Sequence, residues 1–259
     1  MNNRLSRRLG REARPFAAFL ALATTACSNP AGPSIGPIDF SVPIEGSSTL
    51  AYRDGGRLDS QRSRIETVVK ETLAAVRLRL PVERVTIVVQ ANAPGTIPEI
   101  GIGGRADEDT VRLSFDPDSP RLPESLETEL FPLLAHELHH VARFSAGRYN
   151  SNLLAALITE GLADQFSVEL ARADPPLWAS ALPPEQLTRW SARARDEWFD
   201  SSYNHDAWFL GATPDIPRWA GYSIGFDLVE RFLMAHPTRR PSDLFNEPAA
   251  SFTATAGPR

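Results

Sequence analysis

Five consecutive residues, His136-Glu137-Leu138-His139-His140, fit the pattern H-E-x-x-H. On an α-helix, His136 and His140 would lie one turn apart on the same face, where two imidazoles can converge on one metal ion. Glu137 would then be within reach of a water molecule bound to that metal. A catalytic zinc needs three protein ligands and an open water position, so the motif predicts zinc and requires a third ligand.

The segment 158–164, with the sequence I-T-E-G-L-A-D, supplies two candidates for the third ligand. Glu160 and Asp164 are four residues apart, so a helix places both carboxylates on one face. We expect Glu160 to be the ligand and Asp164 to contact His136, because a zinc-bound histidine usually donates its other ring N–H to a carboxylate or carbonyl. The alternative is that Asp164 binds the metal in place of Glu160.

Two helical patterns carry these residues. Residues 132–144 form an apolar-rich helical pattern that contains the H-E-x-x-H motif, and Gly147 shortly after it is a plausible stop. Residues 153–172 form a second helical pattern, with Ser151 or Asn152 as its N-cap. The candidate metal ligands therefore lie on two consecutive helices.

Gly161 is an unfavourable residue for a helix interior, where glycine costs about 1 kcal/mol relative to alanine. It would let its helix approach the motif helix closely enough for the Glu160 carboxylate to reach the metal. The alternative is a tight helix crossing without functional meaning. Both interpretations predict close packing at this position.

The complete pattern resembles a known class of enzymes. A motif helix, then Glu160 twenty residues after His140 and Asp164 four residues further, resembles the glutamate-zincin (gluzincin) metallopeptidases typified by thermolysin. The sequences H-E-L-H-H-V-A-R and I-T-E-G-L-A-D-Q-F are also similar to a bacterial domain family described as predicted zinc-dependent proteases. The resemblance implies that His136, His140 and Glu160 bind zinc, that Glu137 is the general base, and that Asp164 supports the first histidine.

The rest of the chain predicts an α+β domain. Helical spacing predicts a helix over residues 61–80, and β-branched or alternating residues predict strands at 84–90 and 111–115. In the resembling class an edge strand before the zinc helix pairs with the substrate backbone, a role that residues 99–105 or 111–115 would fill. We expect a gluzincin-like domain with a small sheet before the H-E-x-x-H helix and a mainly helical C-terminal part.

Peptide hydrolysis passes through a tetrahedral intermediate, whose oxyanion needs an electrophile besides zinc. The candidates are Tyr203, His205 and Tyr222. We favour Tyr222, because relatives keep a G-Y-x-x-G element at this position; the alternative is a tyrosine packed in the core. His205 is interpreted as an exposed histidine in a polar turn, and His139, which helix geometry points away from the metal face, as a packing or second-sphere residue.

The N-terminus predicts export. Five arginines between residues 4 and 14 precede a short apolar stretch at 16–23, and Cys27, the only cysteine of the chain, follows directly. This pattern is that of a secretory signal, and it resembles a bacterial lipoprotein processing site. We expect residues 1–27 to be a signal peptide and Cys27 to carry a lipid anchor in the bacterial cell envelope, on the outer-membrane or periplasmic side; the alternative is plain secretion.

Composition supports one enzyme domain behind this leader. Without residues 1–27 the chain has 22 basic and 31 acidic residues, a net charge of −9 that argues against nucleic acid as a partner. Residues 28–50 are interpreted as a flexible tether, 51–240 as the metallopeptidase domain and 241–259 as a loose tail.

These observations predict a zinc-dependent metallopeptidase that acts on a peptide or protein substrate. One alternative is a zinc hydrolase that acts on an amide or ester other than a peptide. A second is a catalytically silent zinc-binding lipoprotein of the envelope that acts as a binding or chaperone module. Glu137 argues against the second, because a purely structural zinc site usually has four protein ligands and no use for a base.

Overall fold

The computed structural model describes residues 37–44, 46–149 and 151–257 of the 259-residue chain. The strands are β1 (Phe40–Ile44), β2 (Ser48–Arg53), β3 (Thr86–Ala91), β4 (Ile102–Ala106) and β5 (Thr110–Phe115). The helices are α1 (Arg62–Arg77), α2 (Leu122–Thr128), α3 (Leu130–Ser145), α4 (Leu153–Ala171), α5 (Pro184–Glu197), α6 (His205–Phe209) and α7 (Ala220–Ala235). Short 3-10 helices lie at Ala93–Gly95, Pro241–Asp243 and Ala249–Thr255. A small sheet followed by helices confirms the predicted α+β class.

The five strands form one mixed sheet in the order β1-β2-β3-β5-β4. Its centre is parallel, since β3 pairs in parallel with β2 and β5, and its two outer pairs are antiparallel. Strand β5 is therefore bonded on both sides and cannot receive a substrate strand. Of the two segments proposed for that role, residues 99–105 contain most of the edge strand β4, and residues 111–115 are excluded.

Helix α3 connects the sheet to the helical half of the domain. It packs against α1, against strands β4 and β5 of the sheet, and against α4. Buried positions on α1 recur every three or four residues, as the spacing predicted, at Ile65, Val68, Val69, Thr72, Leu73 and Val76. The face of α3 that carries the motif is consequently held between the sheet and α4.

Helix α4 is buried all round along most of its length, from Leu153 to Ser167. Its N-cap is Asn152, whose side-chain oxygen accepts a hydrogen bond from the Ala155 N–H at 2.9 Å. Helices α3 and α7 both pack against it. A helix that is enclosed in this way is a rigid support for charged side chains in the interior.

The expectation of a flexible tether over residues 28–50 is wrong for its second part. Strand β1 and the start of β2 fall within it, and the two strands pair antiparallel. The Phe40 ring stacks on the fully buried Tyr52 at a centroid distance of 4.7 Å. Strand pairing and aromatic stacking thus extend the domain beyond its expected start at residue 51.

The expectation of a loose tail over residues 241–259 is also wrong for the described part, which ends at residue 257. Phe252 is fully buried and its ring lies 4.4 Å from that of Phe232 on α7. Ser242 donates hydrogen bonds from its N–H and its hydroxyl to the Glu169 carboxylate on α4, both at 2.9 Å. The segment is held by long-range contacts that composition does not reveal.

The expected signal peptide at residues 1–27, including Cys27, lies outside the described residues. Within the ranges that the structure describes, none of the helices combines the length and the apolar character needed to cross a bilayer.

Candidate metal centre and active-site cleft

Three side chains from α3 and α4 converge on one point. The Nε2 atoms of His136 and His140 lie 2.9 Å apart, and the Glu160 Oε2 atom is 3.2 Å from the first and 3.3 Å from the second. These three residues are the group of His, Cys, Asp or Glu side chains, among those the structure describes, that could hold a metal ion. The predicted ligands are therefore brought together.

The spacing of these atoms fits zinc. A tetrahedral zinc with ligands at about 2.0–2.2 Å holds any two of its ligand atoms roughly 3.3 Å apart. The observed separations of 2.9, 3.2 and 3.3 Å are close to that value. All three side chains are buried. Two imidazole nitrogens and a carboxylate oxygen form the donor set of a catalytic rather than a structural zinc, because they leave one position open.

Asp164 lies on the other side of His136. Its Oδ1 atom is 2.8 Å from the His136 Nδ1 atom, whereas the Nε2 atom of the same ring faces His140 and Glu160. The structure thus places Asp164 where it orients the imidazole and outside the group of converging ligand atoms.

Sequence reasoning missed the second partner of Asp164. The Trp178 indole N–H donates a hydrogen bond to Asp164 Oδ1 at 2.9 Å. Trp178 lies in the irregular segment between α4 and α5, fourteen residues after its acceptor. Trp178 belongs to no sequence motif. The sequence indicates only that a tryptophan, which has one N–H donor, follows soon after the helix that carries Glu160 and Asp164.

Burial and neighbouring charges have opposite effects on the pKa values of His136 and Glu160. Burial would lower the pKa of His136, but the charge and hydrogen bond of Asp164 and the hydrogen bond of Glu160 raise it well above its usual value. Burial would raise the pKa of Glu160, but His140 and His136 hold it well below its usual value. The two imidazoles therefore favour the ionised form of the buried Glu160, which is the form that could bind a metal.

Glu137 lies beside the ligand group, between α3 and the edge of the sheet. A Cβ atom on Gly104 of β4 would be only 2.5 Å from the Oε1 atom of Glu137, so any side chain at position 104 would displace the carboxylate of Glu137. Its Oε2 atom is buried and has no hydrogen-bond partner among the described residues. Burial raises the pKa of Glu137. A buried carboxylate with one unpartnered oxygen is suited to accept a proton.

The candidate ligands and the predicted base, Glu137, lie within a region that matches a known protein family. The family model described as "Predicted Zn-dependent protease (DUF2268)" matches residues 65–254. The chain belongs to this family. The matched range contains the whole of α3, α4 and α7, and therefore all the residues of the candidate centre. The predicted resemblance to this family is confirmed, and the family description supports a zinc-dependent protease at that general level.

The chain is also similar to a solved structure of an aminopeptidase N family protein from Idiomarina loihiensis, with a TM-score of 0.43 and 15% sequence identity. The similarity covers 85% of this chain and 42% of that one, so the chain spans less than half the length of the aminopeptidase N family protein. No curated protein matches the chain.

In this member of the family, a cleft runs between the sheet edge and the helices, past the candidate centre. Its lining from the sheet side is Thr96, Ile97, Gly103 and Gly104. Its lining from the helical side is Leu133, His136, Glu137, Trp178, Leu210, Arg218, Trp219 and Tyr222. One predicted ligand and the predicted base thus face the same open space.

Of the three candidates for the second electrophile, Tyr222 lines the cleft and the other two do not. Its ring packs edge-on against Trp178 at 6.4 Å and against Phe209 at 5.1 Å. The interpretation of His205 as exposed is wrong, because its side chain is buried and stacked on Phe209 at 4.5 Å. The Tyr203 hydroxyl lies 3.1 Å from the His205 Nδ1 atom.

His139 points away from the candidate centre, as the helix geometry predicted. Its ring is fully buried and lies 5.4 Å from the Phe166 ring. Burial, together with the charge of Arg143, lowers the pKa of His139 well below its usual value, so the imidazole is neutral. Neither ring nitrogen has a hydrogen-bond partner among the described residues. His139 therefore acts as a packing residue.

Arg143 is a second residue that sequence reasoning missed. Its buried guanidinium donates to the Thr159 hydroxyl at 3.3 Å and to backbone carbonyls of Phe245, Glu247 and Arg148 at 3.0, 3.3 and 3.3 Å. Burial lowers its pKa to about 10, so the group stays charged at neutral pH. Arg143 thus ties α3 to α4 next to the candidate ligand Glu160, and to the C-terminal segment.

Gly161 allows close packing, but not where the sequence analysis expected it. A side chain at this position would collide with the backbone of Gly225 on α7, not with α3. The glycine therefore fixes α4 against α7, while the adjacent Glu160 faces the histidines of α3.

Proposed function

We propose that this protein is a zinc-dependent metallopeptidase of the gluzincin type. His136, His140 and Glu160 are the metal ligands and Glu137 is the general base. The observation that carries the proposal is the convergence of the three ligand atoms, at 2.9–3.3 Å from one another, beside the buried Glu137. The family description adds independent support for zinc and for proteolysis.

Glu137 carries out the proton transfers. When bound, zinc lowers the pKa of a coordinated water towards about 7 and polarises the scissile carbonyl. Glu137, which lines the cleft, accepts the proton of the attacking water and passes it to the leaving amine. Its raised pKa helps the first step, because a more basic carboxylate is a better acceptor for the proton of the attacking water.

Tyr222 stabilises the oxyanion of the tetrahedral intermediate by donating a hydrogen bond from its phenol. Its position in the cleft lining, which it shares with His136 and Glu137, supports this role. Packing against Trp178 and Phe209 limits the orientations of the ring. A donor that is already oriented needs no rearrangement when the charge develops.

The substrate is a peptide that binds in an extended conformation along β4. This strand forms the edge of the sheet, and its residues Gly103 and Gly104 line the cleft next to Glu137. The Ile97 N–H already donates to the Ile102 carbonyl at the start of β4, so a second backbone would pair with this strand from Gly104 onward. Strand addition of this kind uses main-chain hydrogen bonds for affinity and leaves side-chain pockets to set specificity.

We also propose that the enzyme is exported and held in the bacterial cell envelope by a lipid on Cys27. The sequence pattern of residues 1–27 supports this proposal. Metabolic labelling with a radioactive fatty acid tests the anchor. Label on the wild type and none on Cys27→Ala is expected; equal labelling of both would rule out Cys27 as the site.

The proposed activity is tested by incubating a mixed peptide library with the zinc-loaded protein lacking residues 1–27. We expect cleavage by the wild type, and a rate lower by about 10²–10⁴-fold for Glu137→Gln, with zinc retained by both. Glu129→Gln, just before α3 begins, is the matched control and keeps full activity. Absence of cleavage by the fully zinc-loaded wild type would contradict the proposal.

A further inference from the structure

An ion pair between Arg218, which lines the cleft, and Glu99 connects the segment before α7 to the segment before β4. Arg218, in the segment before α7, donates from Nη1 to Glu99 Oε1 at 2.7 Å and from Nη2 to Glu99 Oε2 at 3.4 Å. Glu99 precedes the edge strand β4 on the sheet side. Both side chains are a little over 40% exposed, so the pair is in contact with solvent.

We propose that Arg218 determines specificity by binding a carboxylate of the substrate, which takes the place of the Glu99 carboxylate. This inference rests on the proposed peptidase function, and it names the substrate class as peptides with a carboxylate near the scissile bond. That carboxylate is either the C-terminus of the peptide or an Asp or Glu side chain. Both present the same pair of oxygens to a guanidinium.

The lining of the cleft favours Arg218 over Glu99 as the recognition residue. Arg218 is the only Lys or Arg among the described residues that line the cleft, and Glu99 is not part of that lining. A guanidinium stays charged and matches a carboxylate with two parallel N–H donors. Because Arg218 and Glu137 line the same cleft, one short peptide can contact both.

The guanidinium of Arg218 is held in place before substrate binds. Its central carbon, Cζ, lies 3.7 Å from the centroid of the Trp219 ring, a cation–π contact. Trp219 itself has a left-handed backbone with φ of 67°, which is a strained conformation for a bulky residue. A Cβ on Gly211 would lie 2.8 Å from the Arg218 Cβ, so a second chain segment packs tightly behind this residue. Strain and tight packing of this kind are common where a side chain is pre-positioned for a ligand.

Replacement of the Glu99 carboxylate by a substrate carboxylate on Arg218 requires little free energy. Ion pairs between exposed side chains are weak, because water competes for both partners. The hydrogen bond from Arg218 lowers the pKa of Glu99, so Glu99 is ionised at neutral pH and occupies the guanidinium in the absence of substrate. Glu99 therefore competes with weak ligands and yields to a peptide that also binds along β4.

The test measures binding rather than turnover, so its result does not depend on the proposed activity. The probes are five-residue alanine peptides with acetylated N-termini: one with a free C-terminal carboxylate, one amidated, and amidated versions with a single internal Asp. They are titrated into the full-length, zinc-loaded Glu137→Gln protein by calorimetry. We expect a carboxylate peptide to bind about tenfold or more tightly than the amidated alanine peptide. Tighter binding of the peptide with a free C-terminus, or of the peptides with an internal Asp, identifies which carboxylate Arg218 binds.

The same titrations are repeated on four variants in the Glu137→Gln background, the last of which is a control. Arg218→Gln is expected to abolish the preference for carboxylate, Arg218→Lys to retain part of it, and Glu99→Gln to increase it. Arg121→Gln, which breaks an exposed ion pair with Glu124 elsewhere, leaves it unchanged. An unaltered preference in Arg218→Gln, or no preference in the parent, would overturn the inference. Lack of peptide cleavage by the wild type would instead contradict the proposed function alone.

Discussion

The backbones of Gly161 and Gly225 approach so closely that neither residue has room for a side chain. A Cβ on Gly161 would lie 2.1 Å from the Gly225 carbonyl oxygen, and a Cβ on Gly225 would lie 2.1 Å from the Leu157 carbonyl oxygen. Helices α4 and α7 are thus in direct backbone contact next to Glu160. The position of this candidate ligand therefore depends on a helix that begins sixty residues after it.

Gly161→Ala tests this dependence. The added methyl group must push α4 and α7 apart, which we expect to lower the free energy of unfolding by about 1–3 kcal/mol. The displaced Glu160 should also weaken zinc binding, measured by competition with a chelator. Gly257→Ala is the control, because a Cβ there meets no atom within 4 Å. A Gly161→Ala protein with wild-type stability and wild-type zinc affinity would show that the contact is dispensable.

Trp178→Phe removes the indole N–H that donates to Asp164. Asp164 would still contact His136, so we expect zinc affinity to fall by about tenfold, at the lower end of the range for such outer partners. Chelator competition measures the change. Trp190→Phe, a replacement at a similarly buried tryptophan on α5, leaves zinc affinity as it was. Equal zinc affinities for wild type and Trp178→Phe would mean that the hydrogen bond has no role in orienting Asp164.

Tyr222→Phe removes the proposed oxyanion donor and keeps the packing of the ring. We expect kcat to fall about 10²–10³-fold with little change in KM, because the hydrogen bond forms only with the developing charge. Tyr203→Phe is the comparison, since Tyr203 does not line the cleft. A fully active Tyr222→Phe enzyme would reduce Tyr222 to a packing residue, and a larger loss in Tyr203→Phe would transfer the role.

Tyr52→Phe tests how burial affects stability at alkaline pH. Tyr52 is fully buried, its hydroxyl has no hydrogen-bond partner among the described residues, and burial and the charge of Glu66 raise its pKa. A tyrosine pKa above its unfolded value of about 10 gives stability that is present below this pH and is lost as the pH rises above it. Urea unfolding at about pH 7 and pH 10.5 should therefore show a smaller alkaline loss for Tyr52→Phe.

At neutral pH the same variant should be within about 1 kcal/mol of the wild type, because no hydrogen bond is removed. Parallel loss of stability in both proteins between the two pH values would show that Tyr52 ionises as easily in the folded chain as in the unfolded one.

Helix periodicity and the family resemblance were enough to predict the central residues of the candidate site. Residues four apart on a helix share a face, so His136 and His140 had to be neighbours, as did Glu160 and Asp164. The family resemblance then indicated that the two helices face each other, which the interatomic distances between the two pairs bear out. Element types were also predictable where hydrophobic periodicity was strong, as in α1, β3 and β5.

Contacts between distant parts of the chain were not predictable in this way. The Trp178 indole and the Arg143 guanidinium are fixed by partners that no local pattern announces. Gly161 signalled close packing, but spacing could not say that the partner is α7 rather than α3. Phe252 belongs to a Pro- and Ala-containing segment that is polar enough to suggest a loose tail, and only its burial against Phe232 shows otherwise.

The most direct test of the account is the zinc content of three purified proteins: wild type, Glu137→Gln and Glu160→Ala. If Glu160 is the third ligand and Glu137 only the base, the first two will bind one zinc per chain and Glu160→Ala will lose most of it. Full zinc occupancy in Glu160→Ala would remove Glu160 from the ligand set and contradict the proposed centre.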